Sequence, residues 1–233
     1  MNLRHSLNHA LACAGLGLGL NACLQAPCPC QSVVPARPVV GVAASAPKVA
    51  APFAAKPLLV WDGEATANVG QGWSSCQQGT ECQTHLEVKA NAGHDGSHGI
   101  QFSAKGPEWM GFGWNWFAWY PPSAGSDISP YKSLSLWIKV DGAPGRRPEP
   151  ETIKVTLNGS ARGGKDDSES VPINDYAPGF SDGQWHHVTL PLEPMLRGKG
   201  EAFDTTKAWA LTIGAWNQDE REYTIQIDEI QFS

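Results

Sequence analysis

The sequence predicts an all-β protein, an antiparallel β-sandwich over residues 58–233, and three observations predict it. From Leu58 onward, apolar and polar residues alternate in short segments, the period of strands with one face buried. Turn-forming groups separate the segments: Asn91-Ala92-Gly93, Asp95-Gly96, Pro121-Pro122, Asp141-Gly142 and Asp182-Gly183. The only stretch with helical character is Glu193–Gly198, and Pro194 within it limits its length. Many short strands at this spacing indicate a sandwich or barrel.

The first 57 residues belong to a different kind of chain. Arg4 followed by the short apolar run Leu11 to Leu20 reads as an export signal over residues 1–22, too short to span a bilayer as a helix. Leu20-Asn21-Ala22-Cys23 resembles the lipobox of bacterial lipoproteins, in which the chain is cut before the Cys and that residue, here Cys23, is acylated. An ordinary secretory signal with an incidental Cys is the alternative. Leu24 rather than Asp follows the Cys, which points to an exported, lipid-anchored protein at the outer membrane. Residues 23–57 then form a tether. Seven Pro and nine Ala between 24 and 57 lack the period of any regular element and favour extended, semi-rigid chain.

Within residues 58–233 the expected strands are Leu58–Trp61, His85–Lys89, Gly99–Ser103, Glu108–Trp119, Ser133–Val140, Thr152–Asn158, Ser170–Ile173, His186–Leu192, Ala208–Ala215 and Tyr223–Phe232. Parity sorts core from surface. Leu134, Leu136, Ile138 and Val140 share one face, against Ser135, Trp137 and Lys139. Ile153, Val155 and Leu157 form another inner set, as do Val188, Leu190 and Leu192, with His187 and Thr189 outside. In the last segment Tyr223, Ile225 and Ile227 disagree in parity with Ile230 and Phe232, and a bulge near Asp228 reconciles them. Cys76 and Cys82 suit a disulfide in an exported protein; a metal or catalytic thiol is the alternative.

Ten Trp in one modest domain is unusual, and several fall between Trp109 and Tyr120. Met110, Phe112, Trp114 and Trp116 take one parity of that segment; Trp109, Gly111, Gly113, Asn115, Phe117 and Trp119 take the other. One set fills the core. The other is covered by a loop or lines a binding surface, where alternate glycines would leave a shallow trough. Trp109, Trp119 and Trp137 are the outward aromatic candidates, with Asn115 and His187 as polar partners. Indole faces stack on the apolar face of a sugar ring, and a few placed polar groups then fix its orientation.

Charge narrows the partners. Residues 58–233 carry 13 basic and 23 acidic side chains, a net of −10, with no basic stripe, so nucleic acid is excluded. Enzyme signatures are weak. Gly179-Phe-Ser-Asp-Gly183 matches Gly-x-Ser-x-Gly, but a nucleophile elbow joins a strand to a helix, and here a loop runs into a strand. His94 and His98 flank Asp95 in a turn, without the helical face that such a metal-binding pair exploits. No catalytic residue is assigned.

Several motifs in sequence order resemble one superfamily. They are Val60-Trp-Asp-Gly-Glu64, His98-Gly-Ile-Gln-Phe102, Gly111-Phe-Gly-Trp114, the run from Asp127 to Lys139, Trp185-His-His-Val-Thr-Leu-Pro-Leu192 and Ile227-Asp-Glu-Ile-Gln-Phe232. This order resembles the β-sandwich carbohydrate-binding modules of the galactose-binding-like superfamily, whose sandwich is a jelly roll. The resemblance implies non-catalytic binding of a polysaccharide or glycoconjugate. It also implies a structural Ca²⁺ between the first and last strands, with Asp62, Glu64 and Asp228 as ligands. The runner-up function is an envelope structural or protein-interaction lipoprotein on the same fold, and the third is a glycan-active enzyme.

Overall fold

The computed structural model describes residues 55–62, 71–79, 81–116, 125–161, 166–197 and 201–233. The signal, Cys23 and the tether up to residue 54 lie outside these residues, as do Glu64 and Trp119. The strands are β1 (Leu58–Trp61), β2 (Gln71–Cys76), β3 (Gln83–Lys89), β4 (Gly99–Asn115), β5 (Ser133–Asp141), β6 (Lys154–Gly159), β7 (Asp166–Asp167), β8 (Val171–Pro172), β9 (His186–Pro191) and β10 (Ala208–Phe232). A single helical turn, α1 (Leu192–Met195), follows β9.

All strand pairs are antiparallel, and two long strands organise them. β4 and β10 pair along nearly their whole lengths, from Ala210 opposite Asn115 to Ile227 opposite Ile100. Each is expected from the sequence as two strands, and each proves to be one strand that bends. At the bend Gly106 and Glu108 take positive φ values of 139° and 64°, and the register shifts between Asn217 and Arg221. A bulge of this kind turns a strand without breaking its ladder. Arg221 ties the neighbouring loop to the bend, donating to the carbonyls of Gly145 at 2.8 Å and Arg147 at 3.2 Å.

On one side of the bend β2, β4, β10 and β6 lie side by side, with the short β7 and β8 beyond β6. On the other side β3, β4, β10, β5 and β9 form the second layer, and β1 pairs with the end of β10. The core between the layers holds the predicted inner sets: Leu134, Leu136, Ile138 and Val140; Val155 and Leu157; Val188 and Leu190; Met110, Phe112, Trp114 and Trp116. Aromatic rings join the layers. Phe102 stacks on Phe112 with centroids 4.9 Å apart, and Trp61 meets Trp114 edge-on at 4.9 Å. The expected bulge near Asp228 is present: the pairing with β5 shifts between Asp228 and Gln231, and Glu229 has φ 47°.

The differences from expectation are local. β2 has no counterpart in the reading of the sequence, because Gln-Gly-Trp-Ser-Ser-Cys has no apolar alternation. Ser170–Ile173 shortens to Val171–Pro172, and Thr152 ends a 3-10 turn instead of starting β6.

Candidate functional site

The outward face of the first layer is built from residues facing one another across four strands. Trp73 of β2 is in register with Gly113 of β4, Gly113 with Thr212 of β10, and Thr212 with Thr156 of β6. One step along, Gly111 pairs with Gly214, and beyond them Trp109 pairs with Trp216. Three indoles thus share a face with three glycines.

The glycines explain how the indoles lie. A Cβ on Gly113 would fall 2.3 Å from Nε1 of Trp73, and one on Gly111 would fall 2.6 Å from Cζ2 of Trp109. A Cβ on Gly214 would lie 2.7 Å from Nε1 of Trp109. The rings of Trp73 and Trp109 therefore rest on bare backbone, in space that any larger residue would occupy. Trp216 stands beside them with 48% of its surface exposed, the most exposed large hydrophobic side chain among the described residues.

These rings line a trough of about 540 Å³ whose far wall is polar. The Thr212 hydroxyl donates to Asn158 Oδ1 at 2.8 Å, and Asn158 Nδ2 donates to Asp167 at 2.8 Å. The Thr156 and Ser170 hydroxyls lie 2.8 Å apart. Lys154 and Glu151 complete the rim. The chemistry is a set of apolar ring faces beside hydroxyl, amide and carboxylate groups already held in place by one another. It can bind a ligand with one apolar face and hydroxyls at its edge. Among the described residues its hydroxyls bond one another or Asn158: Thr156 with Ser170, and Thr212 to Asn158.

The predicted glycan-binding residues divide between the two layers. Trp109 lies in the trough, and Asn115 shares its face at the end of β4, only 1% exposed. Trp137 and His187 do not join them, because β5 and β9 belong to the second layer. There His94 stacks on Trp137 at 4.2 Å with planes 6° apart, and His187 leans on it at 5.1 Å. Its Nε1 donates to Glu229 at 3.2 Å. One face of this half-buried ring is thus covered by His94. Trp73 and Trp216 line the trough but are not among the residues predicted from the sequence. Trp216 shares the outward parity of Thr212 and was open to inference, whereas Trp73 sits in a strand that carries no periodic signal.

Asp228 is 1% exposed, and its carboxylate is filled by donors. Oδ2 accepts the His94 N–H at 3.1 Å and the Ser97 hydroxyl at 3.0 Å, and His94 Nδ1 is 3.3 Å away. Oδ1 accepts the Glu229 N–H at 2.8 Å. Ca²⁺ seeks six to eight oxygens; the described groups around this carboxylate are two backbone N–H groups, the Ser97 hydroxyl and the His94 imidazole, with the Asp95 carboxylate within 4.8 Å. Asp62 leaves β1 next to Trp61, the register partner of Ile230, so it emerges beside the same stretch of β10. The donors of Ser97 hold the adjacent Asp95 carboxyl below its ordinary range.

Ser181 of Gly-x-Ser-x-Gly lies in a loop that follows a 3-10 turn and enters β9, so it is not a nucleophile elbow. Asp182 beside it is held below the usual carboxylate range by His186, whose Nε2 lies 2.9 Å away, and by the Gln184 N–H. The Cys76–Cys82 disulfide is formed.

Comparisons with known proteins agree with this architecture. Residues 62–233 match the family Carbohydrate binding domain 30. The family 30 carbohydrate-binding module of the cellulosomal cellulase Cel9D-Cel44B of Clostridium thermocellum superposes with a TM-score of 0.56 at 18% identity, covering 77% of this chain and 98% of that one. The family 11 module from the same organism, solved with a β-1,3-1,4-mixed-linked tetrasaccharide, gives a TM-score of 0.50 at 16% identity over 76% and 94% of the two chains. A β-1,2-glucanase from Parabacteroides distasonis gives 0.52 at 16% identity over 75% of this chain but 24% of the glucanase. These likenesses show the β-sandwich fold. No curated protein matches the chain.

Proposed function

The chain belongs to the Carbohydrate binding domain 30 family, a family of non-catalytic carbohydrate-binding modules, and from that premise we propose that the first-layer trough is its glycan site. In this reading Trp73, Trp109 and Trp216 stack on successive sugar rings of a neutral, β-linked glucan chain. Thr156, Asn158, Asp167 and Thr212 take the hydroxyls along one edge. The observation that carries the reading is the seating of two indoles on glycine backbone, which fixes flat apolar platforms at the surface at little entropic cost. The chemistry of binding needs no cofactor and no acid–base pair.

The reading extends to location. An anchor at Cys23 and the Pro/Ala run to Pro57 would hold the module off the outer membrane, where a polysaccharide is within reach.

Titration of intrinsic Trp fluorescence with soluble β-glucans, xylans and mannans tests the site. A saturable shift with a β-glucan is expected. Trp73→Ala, Trp109→Ala and Trp216→Ala should each weaken it by roughly thirtyfold, the factor for an interface anchor worth about 2 kcal/mol. Trp137→Ala, remaining folded, should leave it intact. Loss in Trp137→Ala with retention in Trp109→Ala would move the site to the other layer. A flat response across the panel would favour the protein-interaction role.

A further inference from the structure

We propose that the Cys76–Cys82 disulfide is a positioning device for the glycan site: it holds the edge strand β2 so that Trp73 stays flat in the trough. The proposal rests on the reading of the trough given above and assigns the disulfide a part in binding.

The argument begins with what β2 lacks. It pairs with β4 alone among the described strands, so it is the edge of the first layer. A strand in that position is normally secured by the apolar side chains of its inner face. The inner face of β2 consists of Gly72, Ser74 and Cys76, opposite Trp114, Phe112 and Met110 in register. A glycine and a serine bury little apolar surface. At Gly72 the Leu86 and Trp114 side chains already take the space beside the backbone: a Cβ there would lie 2.3 Å from Leu86 Cδ2 and 3.0 Å from Trp114 Cε3. With those side chains in place, Gly72 contributes no apolar anchor of its own. Cys76 is the remaining inward residue, and its side chain packs against the core.

The disulfide makes that residue the anchor. Cys82 lies immediately before β3, which belongs to the second layer, so the bond ties the end of β2 to the start of a strand in the other layer. It sits over the bend of β4. A Cβ on Gly106 would come within 2.8 Å of Cys82 Cβ. The loop that the disulfide closes also holds the second indole's backbone, since the Gln77 N–H donates to the Trp109 carbonyl at 2.9 Å. Trp109 itself directly follows Glu108 of the bend. One covalent clamp therefore fixes the strand carrying Trp73 relative to the strand carrying Trp109. The separation of those two indoles is what must match the repeat of the chain they bind, and fixing it beforehand lowers the entropic cost of binding.

The test is a double-mutant cycle between the clamp and the ring. The probe is soluble mixed-linked β-1,3-1,4-glucan, and the proteins are wild type, Cys76→Ser/Cys82→Ser, Trp73→Ala and the triple variant. Binding is measured well below the melting temperature of the least stable, with far-UV circular dichroism confirming the fold. Opening the clamp should weaken binding roughly tenfold. Trp73→Ala should then cost much less in the opened background than in wild type, because the ring it removes is no longer held in place. A general loss of stability would leave the two losses additive, and additive losses overturn the proposal. Unchanged affinity in the serine variant overturns it as well. If the serine variant unfolds, the disulfide is a requirement of the fold and not a positioning device. A second readout needs no glycan. The near-UV signal removed by Trp73→Phe should be present in oxidised wild type and largely absent after reduction. That difference distinguishes failure of the clamp from failure of the glycan reading, which would show as no binding in any of the four proteins alongside an intact near-UV result.

Discussion

Gly113 sets the height at which the indole of Trp73 lies, and the prediction at this scale follows from it. A methyl group at this position would come 2.3 Å from Nε1 and 2.4 Å from Cε2 of that ring. The ring is on the surface and can lift, so Gly113→Ala should leave the fold intact while tilting the platform. Affinity for a β-glucan should fall about tenfold, with stability changed by less than about 1 kcal/mol. Isothermal titration beside thermal denaturation separates the two. A loss of stability with normal affinity would mean the indole does not act from the position described. Residue-level legibility in the sequence followed parity. Trp109 and Asn115 were placed on the outward face because they alternate with Met110, Phe112 and Trp114, which are buried. Parity says which face of a strand a residue takes but not which layer the strand joins, so it grouped Trp137 and His187 with Trp109. The strand partners, Asp228 for Trp137 and Trp216 for Trp109, decide that question and are not local in sequence.

At the scale of elements, the two long strands carry the molecule's shape. Sequence reasoning divides each in two, leaving Gly106-Pro107 and the polar run from Asn217 to Glu220 between the expected strands, where residues of turn-forming type interrupt the alternation. They are bends. The pairing of β4 with β10 resumes beyond them, with Gly106 opposite Arg221. A bulge and a turn use the same residue types, and only the partner strand tells them apart. The bend tolerates little. Gly106 has φ 139°, and a Cβ there would lie 2.8 Å from Cys82 Cβ, 2.9 Å from Cys82 Cα and 2.9 Å from the Glu81 carbonyl oxygen. Those neighbours are backbone or are held by the disulfide, so they cannot swing aside. Gly106→Ala should therefore destabilise the domain by about 2–4 kcal/mol, combining backbone strain with overpacking. Gly79→Ala, also at positive φ but with nothing within 4 Å, should cost the smaller amount due to φ alone. The denaturation midpoints of the two variants check this; equal shifts would show that the bend is no tighter than an open turn.

For the whole molecule, electrostatics constrains the ligand more than the fold does. Residues 58–233 bear a net charge of −10, and the trough itself is bordered by Glu151 and Asp167, with Lys154 the one cation among its described lining residues. The same sandwich is shared by modules and by part of a much longer glucanase, so architecture alone does not select a glycan. A negative surface does. At low ionic strength its field extends over tens of ångströms and opposes an anionic polymer, while a neutral chain meets only the indoles and hydroxyls. Binding of a neutral β-glucan should accordingly change less than about twofold between roughly 50 and 500 mM salt. A polyuronate of similar length should bind more weakly at the low end and gain affinity as salt screens the repulsion. Affinity electrophoresis in gels carrying each polymer, run across that salt range, measures both slopes. Tight, salt-sensitive binding of the polyuronate at low salt would require a cationic site, which the described face of the trough lacks. It would shift the ligand from a stacked neutral glucan to an acidic glycan held elsewhere on the protein.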